Sequence, residues 1–205
     1  MLSSSHVGLR KYAFSSFFLV FLLVGVFGAW KLVANEGDLP VLFQVEAFQL
    51  IDQDGQPFHS ASLFGKVWVA SFLFTSCADV CPLLAAQLSN LRKRMSAHRD
   101  RFRVVSITVD PQNDQPARLR EFAERFGWDP SWILLTGPPA EVERVLTKAF
   151  FQPLPQRQNK DGKTDILHGT GVLLFDKQGR CRGLYALEGD GMEKIVNDLE
   201  GLMNE

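Results

Sequence analysis

The chain alternates between short, almost wholly apolar runs and longer segments whose apolar residues recur at helical spacing. The run KVWVASFLF at residues 66–74 is apolar on both faces, which predicts a central strand covered on both sides. The segment PLLAAQLSNLRKRM at residues 82–95 follows. Its apolar residues lie on one helical face and its cations near the end, which predicts a helix.

The same alternation continues on both sides of this pair. A hairpin is predicted to turn at Asp52–Gly55, and a helix to be capped by Asp114, with Pro116 in its first turn and Gly127 at its end. Further strands are predicted at 101–110, at 132–136 and, as a hairpin around KQGR, at 166–176 and 181–187. Further helices are predicted at 139–150 and 191–203, and a long exposed loop at 151–165.

This order of elements predicts an α/β fold. The predicted architecture is a thioredoxin-like sandwich, a mixed sheet whose central strands are parallel, with helices on both faces. In open α/β sheets, chemistry usually occurs at the carboxyl ends of the strands. The junction after Phe74 is therefore the expected place for a functional site.

A different pattern occupies the N-terminus. Residues 12–30 carry no charge, and as a helix they would rise about 28 Å, close to the hydrocarbon thickness of a bilayer. Arg10 and Lys11 precede them, which favours an inside N-terminus. We expect a cytoplasmic leader at 1–11, a transmembrane anchor at 12–30, a linker at 31–42 and the folded domain at 43–205. A cleaved signal peptide and a buried core helix are the alternatives.

The net charge and the predicted anchor restrict the possible partners and the cellular location. The 22 basic and 23 acidic residues give a net charge of −1, so no bulk positive field suggests a nucleic-acid partner. The anchor predicts a single-pass protein of the cell inner membrane with its domain in the periplasm, where disulfides persist. A mitochondrial inner membrane is the less favoured alternative, because the leader lacks an Arg- and Ser-rich transit segment.

The stretch LFTSCADVCPLL carries the candidate chemistry. It places Cys77 and Cys81 four positions apart, between the predicted central strand and its helix. Helix N–H groups favour thiolate over thiol, and thiolate is both the nucleophile and the metal ligand. A redox-active disulfide pair, a clamp for a soft metal and two inert cysteines all remain open at this point.

His168 is the second candidate. It stands at the start of a predicted strand, just after the long loop. In a thioredoxin-like sheet, a loop that enters this strand can pass beside the cysteine-bearing helix. Two thiolates and one imidazole would form a three-coordinate soft site that suits Cu(I) and Cu(II). Zinc usually takes a fourth ligand in a structural site, and the sequence offers no obvious one.

Three motifs together resemble the Sco/SenC family. They are FTSCADVCP, ITVDPQNDQPARLREFAERFG and ILHGTGVLLFDKQGR, and the resemblance covers about residues 40–203. The family comprises membrane-anchored, thioredoxin-like copper proteins that help to assemble the copper centre of cytochrome c oxidase. The resemblance implies copper ligands at Cys77, Cys81 and His168, and a partner in the copper-receiving subunit of the oxidase or another cuproprotein.

The chain departs from the family pattern at two places. Ala78 and Asp79 stand where the family usually has Pro-Asp, and Leu167 and Gly169 flank the histidine where family members commonly have Asp and Ser. Neither change removes a ligand. The second removes a carboxylate that could orient the ring.

Three further residues have two interpretations each. Asp79 and Asp110 are either groups near the metal or, respectively, a helix-terminus carboxylate and a turn former. Cys181 is expected to be a packed or edge-strand residue that leaves an odd thiol in an exported protein.

The leading hypothesis is a copper metallochaperone that binds one copper ion. The alternative is a thiol–disulfide oxidoreductase in which Cys77 attacks and Cys81 resolves, with a thiol peroxidase as a weaker variant. A membrane-tethered assembly factor with an inert site is the third possibility.

Overall fold

The structure is a computed structural model that describes residues 39–152 and 171–205. Its strands are β1 (Phe43–Gln44), β2 (Gln49–Asp52), β3 (Pro57–His59), β4 (Val67–Leu73), β5 (Phe102–Thr108), β6 (Trp132–Thr136), β7 (Gly171–Phe175) and β8 (Arg180–Ala186). Its α-helices are α1 (Val80–Arg94), α2 (Pro116–Arg125), α3 (Pro139–Arg144) and α4 (Gly191–Asn204). The predicted spans at 12–30 and 151–165 lie wholly or almost wholly outside the described residues.

The described strands form one mixed sheet in the order β1-β8-β7-β4-β5-β6-β2-β3. Strands β4, β5 and β6 are parallel, with Val69 opposite Val104 and Val105 opposite Ile133. The remaining strands join antiparallel at the two sides of this parallel centre. The predicted α/β fold with a mixed, thioredoxin-like sheet is confirmed.

Both faces of the sheet are covered. Helices α1, α2 and α4 pack on one face around Leu88, Phe122 and Leu199, while α3 and the segment that follows it pack on the other around Trp68 and Phe150. All seven residues of β4 are buried, because this strand lies at the centre with a layer on each side. The run at 66–74 is thus apolar on both faces because both faces are buried, as predicted.

One strand pairing was not predicted, and one helix departs from its prediction. The segment at 43–44 pairs with β8, with Phe43 opposite Cys181, and not with the strand that follows it in the chain. The helix predicted at 139–150 is α3 followed by a π-helical turn, Val145–Ala149. Neither feature has a local sequence signal, since each depends on what the segment packs against.

The predicted cap of α2 is wrong. Gln115 is the residue that precedes the helix, and within the described chain its side chain makes no capping hydrogen bond. Asp114 is fully buried and its carboxylate accepts hydrogen bonds from residues of other elements. The prediction of Gly127 at the helix end is consistent with its φ of 68°, a left-handed conformation that favours glycine.

Among the residues that the structure describes, we find no helix with both the length and the apolar character needed to cross a membrane.

Candidate functional site

The two cysteines of the LFTSCADVCPLL stretch lie where the parallel centre of the sheet ends. Cys77 is in the loop that follows β4, and Cys81 is in the first turn of α1. The apolar run ends at Phe74 and Pro82 fits the first turn of the helix, so the chain turns sharply between them. The predicted position of the pair, at a strand-to-helix junction, is the observed one.

Hydrogen bonds hold the sulfur of Cys77 against the start of α1. The backbone N–H of Cys81 donates to Cys77 Sγ over 3.3 Å. Partial burial raises the pKa of Cys77. The hydrogen bonds from the Cys81 backbone and thiol and from the N–H groups of Asp79 and Val80 outweigh it, so this pKa lies below its ordinary value. Cys77 is therefore the thiol that ionises first.

Cys81 is fully buried and behaves in the opposite way. Burial, together with the neighbouring Cys77 sulfur and the Asp114 carboxylate, raises the pKa of its thiol to about 12. The pair is thus one half-exposed, readily ionised sulfur beside one buried thiol. Across residues 39–152 and 171–205, neither forms a disulfide.

The buried carboxylate of Asp114 ties the cysteine loop to the neighbouring strand. It accepts hydrogen bonds from the backbone N–H of Thr75 over 3.0 Å, from the Thr75 hydroxyl, and from the hydroxyl of Thr108 over 2.6 Å. Thr75 precedes Cys77 by two residues, and Thr108 is the last residue of β5. Sequence reasoning missed this role. The signal was an acidic residue shortly after a buried strand, which a capping role explained equally well.

The two other aspartates lie at a helix terminus and in a turn, and a role of either near a metal stays a prediction. Asp79 precedes α1, but among the described residues its side chain makes no capping hydrogen bond. Asp110 forms a turn, in which its carbonyl accepts from the N–H groups of Asn113 over 3.1 Å and Asp114 over 2.9 Å. The sulfur of Cys77 accepts the helix N–H that a capping oxygen would otherwise take.

Strand β7 begins beside the end of β4, on the side of the sheet where the cysteine loop lies. It runs antiparallel to β4, with Ala70 opposite Leu173. Its first residue, Gly171, is therefore level with the end of β4 and close to the start of the cysteine loop. His168 stands three positions earlier in the sequence and lies outside the described residues.

The described part of the chain contains no group of three or more histidine, cysteine or acidic side chains arranged to hold a metal ion. Two of the three predicted ligands are nevertheless brought together there, as an ionisable sulfur and a second sulfur in contact with it. Such a pair can attack a disulfide, close into a disulfide, or provide two ligands to a soft metal.

Cys181 is not part of this junction. It lies in β8, fully buried, and burial raises the pKa of its thiol to about 11. The prediction that it is a packed residue is confirmed.

Comparison with known proteins identifies one family. A family model described as SCO1/SenC matches residues 42–204. The SCO1 protein homolog of Bacillus subtilis is 31% identical over 165 residues, which cover 78% of this chain and 83% of the relative.

Solved structures of this kind share the fold. Bradyrhizobium japonicum ScoI with copper bound is 30% identical with a TM-score of 0.68, covering 78% of this chain and 99% of that one. BsSco, described as a member of the Sco family of cytochrome c oxidase assembly proteins with a disulfide switch, is 29% identical with a TM-score of 0.70. That match covers 82% of this chain and 97% of BsSco.

Proposed function

Because the chain belongs to the SCO1/SenC family, we propose that it is a copper metallochaperone that binds one copper ion through Cys77, Cys81 and His168. It delivers this ion during assembly of the copper centre of cytochrome c oxidase. A structure of a relative contains copper, and another relative is described as belonging to a family of oxidase assembly proteins.

The observation that carries the proposal is the contact between the two sulfurs at the start of α1. Hydrogen bonds from the helix N–H groups favour the thiolate of Cys77, and thiolate is the form that binds soft metals. The higher pKa of Cys81 is set by burial and by the neighbouring sulfur, and a bound cation would offset both effects. Two adjacent sulfurs select Cu(I) over harder cations.

The register of β7 supports His168 as the third ligand. Gly171 lies at the edge of the sheet where the cysteine loop begins. Three residues of chain reach at most about 10 Å, which limits how far the His168 imidazole can lie from this end of β4. A mixed sulfur and nitrogen set also suits a protein that meets both oxidation states of copper.

Membrane anchoring completes the proposal. Residues 12–30 would hold the domain on the periplasmic side of the inner membrane, close to a membrane-bound oxidase. The partner would be the subunit that receives copper.

The test is titration of the full chain with Cu(I) after reduction. We expect about one tightly bound ion, and binding weakened by at least tenfold in His168→Ala. His59→Ala is the matched control, since His59 is an exposed residue of β3, and it should bind as the parent chain does. Equal affinity of His168→Ala and His59→Ala would remove His168 from the ligand set.

The asymmetry of the cysteines favours a second candidate, a thiol–disulfide oxidoreductase. The Cys77 thiolate would attack one sulfur of a partner disulfide, forming a mixed disulfide and releasing one partner thiolate. Cys81, losing its proton to solvent, would then attack Cys77 and release the second partner thiolate. The partner gains two electrons while Cys77 and Cys81 become a disulfide.

The same variants separate the two functions. A reductase should keep its rate of disulfide exchange in His168→Ala and lose it in Cys77→Ser. A chaperone should lose tight copper binding in both variants.

A further inference from the structure

An open, polar groove lies beside the cysteine loop. It is lined by Thr75 at one side and by one face of α2 at the other, with Ala117, Arg118, Glu121 and Arg125. Thr75 precedes Cys77 by two residues and is fixed by Asp114. A molecule lying in this groove would therefore reach the loop that carries the reactive sulfur.

The two arginines of this groove differ from most others in the domain. Six arginines pair with a carboxylate within the domain: Arg92, Arg94, Arg120, Arg144, Arg180 and Arg182. For Arg118 and Arg125, no carboxylate among the described residues lies within ion-pair distance, and both are exposed. The guanidinium of Arg125 lies over the ring of Phe122, 5.5 Å from its centroid, and this contact uses none of its N–H groups.

The distance between these two cations matches the distance between two carboxylates on an extended chain. Arg118 and Arg125 are seven residues apart on α2, or about 10.5 Å along the helix axis. On an extended chain of the polyproline II type, which has three residues per turn, two carboxylates three residues apart lie on the same side and about 9 Å apart. Each guanidinium can bind one carboxylate through two parallel hydrogen bonds.

We propose that this groove, defined by Thr75, Arg118, Glu121 and Arg125, docks an extended acidic segment of the protein that exchanges copper or electrons with Cys77. The inference rests on the proposed function for the identity of the exchange, but the charge complementarity belongs to the groove. Glu121 lies between the arginines and limits the affinity. A limited affinity suits a partner that must dissociate after transfer. Exposed charges of this kind chiefly raise the association rate and fix the orientation of the partner.

The probe is a short fluorescent peptide with two glutamates three residues apart, compared with the same peptide carrying glutamines. Binding to the full chain in non-ionic detergent is followed by anisotropy at low and physiological salt. We expect the glutamate peptide to bind more tightly than the glutamine peptide. Arg118→Glu with Arg125→Glu together should weaken its binding about tenfold, and added salt should then no longer weaken it. Glu121→Gln should tighten binding about twofold.

Arg99→Glu is the matched control. Arg99 is exposed and lies before β5, at the opposite end of the sheet from the cysteines. Equal binding of the two peptides, absence of salt-sensitive binding up to millimolar peptide, or equal weakening by Arg99→Glu would overturn the proposal.

Copper titration of the Arg118→Glu, Arg125→Glu variant distinguishes this inference from the proposed function. Unchanged copper affinity with lost peptide binding supports the groove. A parent chain that binds the acidic peptide but no copper contradicts the chaperone function and leaves the groove intact.

Discussion

Cys77 and Cys181 lie in two regions of this molecule that shift the pKa of a thiol in opposite directions. At the junction of β4 and α1, Cys77 is half-exposed and its pKa lies below the ordinary value, because helix N–H groups and a second sulfur donate to it despite partial burial. In β8, Cys181 is fully buried, and burial raises its pKa to about 11, with the carbonyl of Gly183 3.7 Å from its sulfur.

The contrast shows that burial alone does not separate a reactive site from a structural one. Cys81 is as fully buried as Cys181, and its pKa is also raised, to about 12. Only Cys81 has a readily ionised sulfur beside it, so only Cys81 can join a pair. Neighbouring donors and a second thiol define the site, while the apolar setting of Cys181 defines a packing residue.

The largest expected effect is on thiol reactivity. Because thiolate is the reactive form, iodoacetamide should label Cys77 of the native chain at neutral pH about a thousandfold faster than Cys81, and at least a hundredfold faster than Cys181. The rate at Cys77 should rise with pH and level off below pH 9.0, the ordinary pKa of a thiol. Mass spectrometry of timed digests measures each site. Equal rates at Cys77 and Cys181 would remove the contrast.

Removing the carboxylate that fixes the cysteine loop should have the next largest effect. Asp114→Ala leaves the donors of Thr75 and Thr108 without their buried acceptor, so we expect a loss of about 3 kcal/mol in the free energy of unfolding. Denaturant titration measures this.

Thr108→Val is the graded comparison: it removes one hydrogen bond to Asp114 and the acceptor of the Asp110 N–H, and should cost about 2 kcal/mol. A loss in Asp114→Ala no greater than that in Thr108→Val would show that the carboxylate does not hold the loop.

A smaller effect is expected at the packed cysteine. Cys181→Ala removes a fully buried sulfur from β8 and should lower the free energy of unfolding by about 1–2 kcal/mol through lost packing. Copper stoichiometry should stay at that of the parent chain, whereas Cys81→Ala should lose it. Loss of copper in Cys181→Ala, with the domain still folded by circular dichroism, would place Cys181 in the site.

The smallest expected effect is at the residue that precedes α1. The side chain of Asp79 makes no capping hydrogen bond within the described chain, so Asp79→Ala should change the free energy of unfolding by less than about 0.5 kcal/mol. Cys77→Ala, which removes the sulfur that accepts the Cys81 N–H, should cost more. The reverse order in thermal or denaturant unfolding would show that Asp79 is the true cap.

Part of this site could be predicted from local pattern. The apolar run at 66–74 and the helical spacing after it place Cys77 and Cys81 at a strand-to-helix junction, and the structure puts them there as β4 and α1. These features follow from side-chain periods of two and 3.6 residues, which any short window of sequence displays.

The sequence by itself therefore determined the alternation of strands and helices and the position of the cysteine pair at a strand-to-helix junction. Only the tertiary structure decided that Asp114 binds Thr75, 39 positions earlier in the chain, that Phe43 pairs with Cys181, and that two arginines of α2 border the cysteine loop. It also decided which thiol ionises first. The physical reason is range: periodicity is set by neighbours in the chain, while burial, hydrogen-bond partners and charge are set by residues that folding brings together.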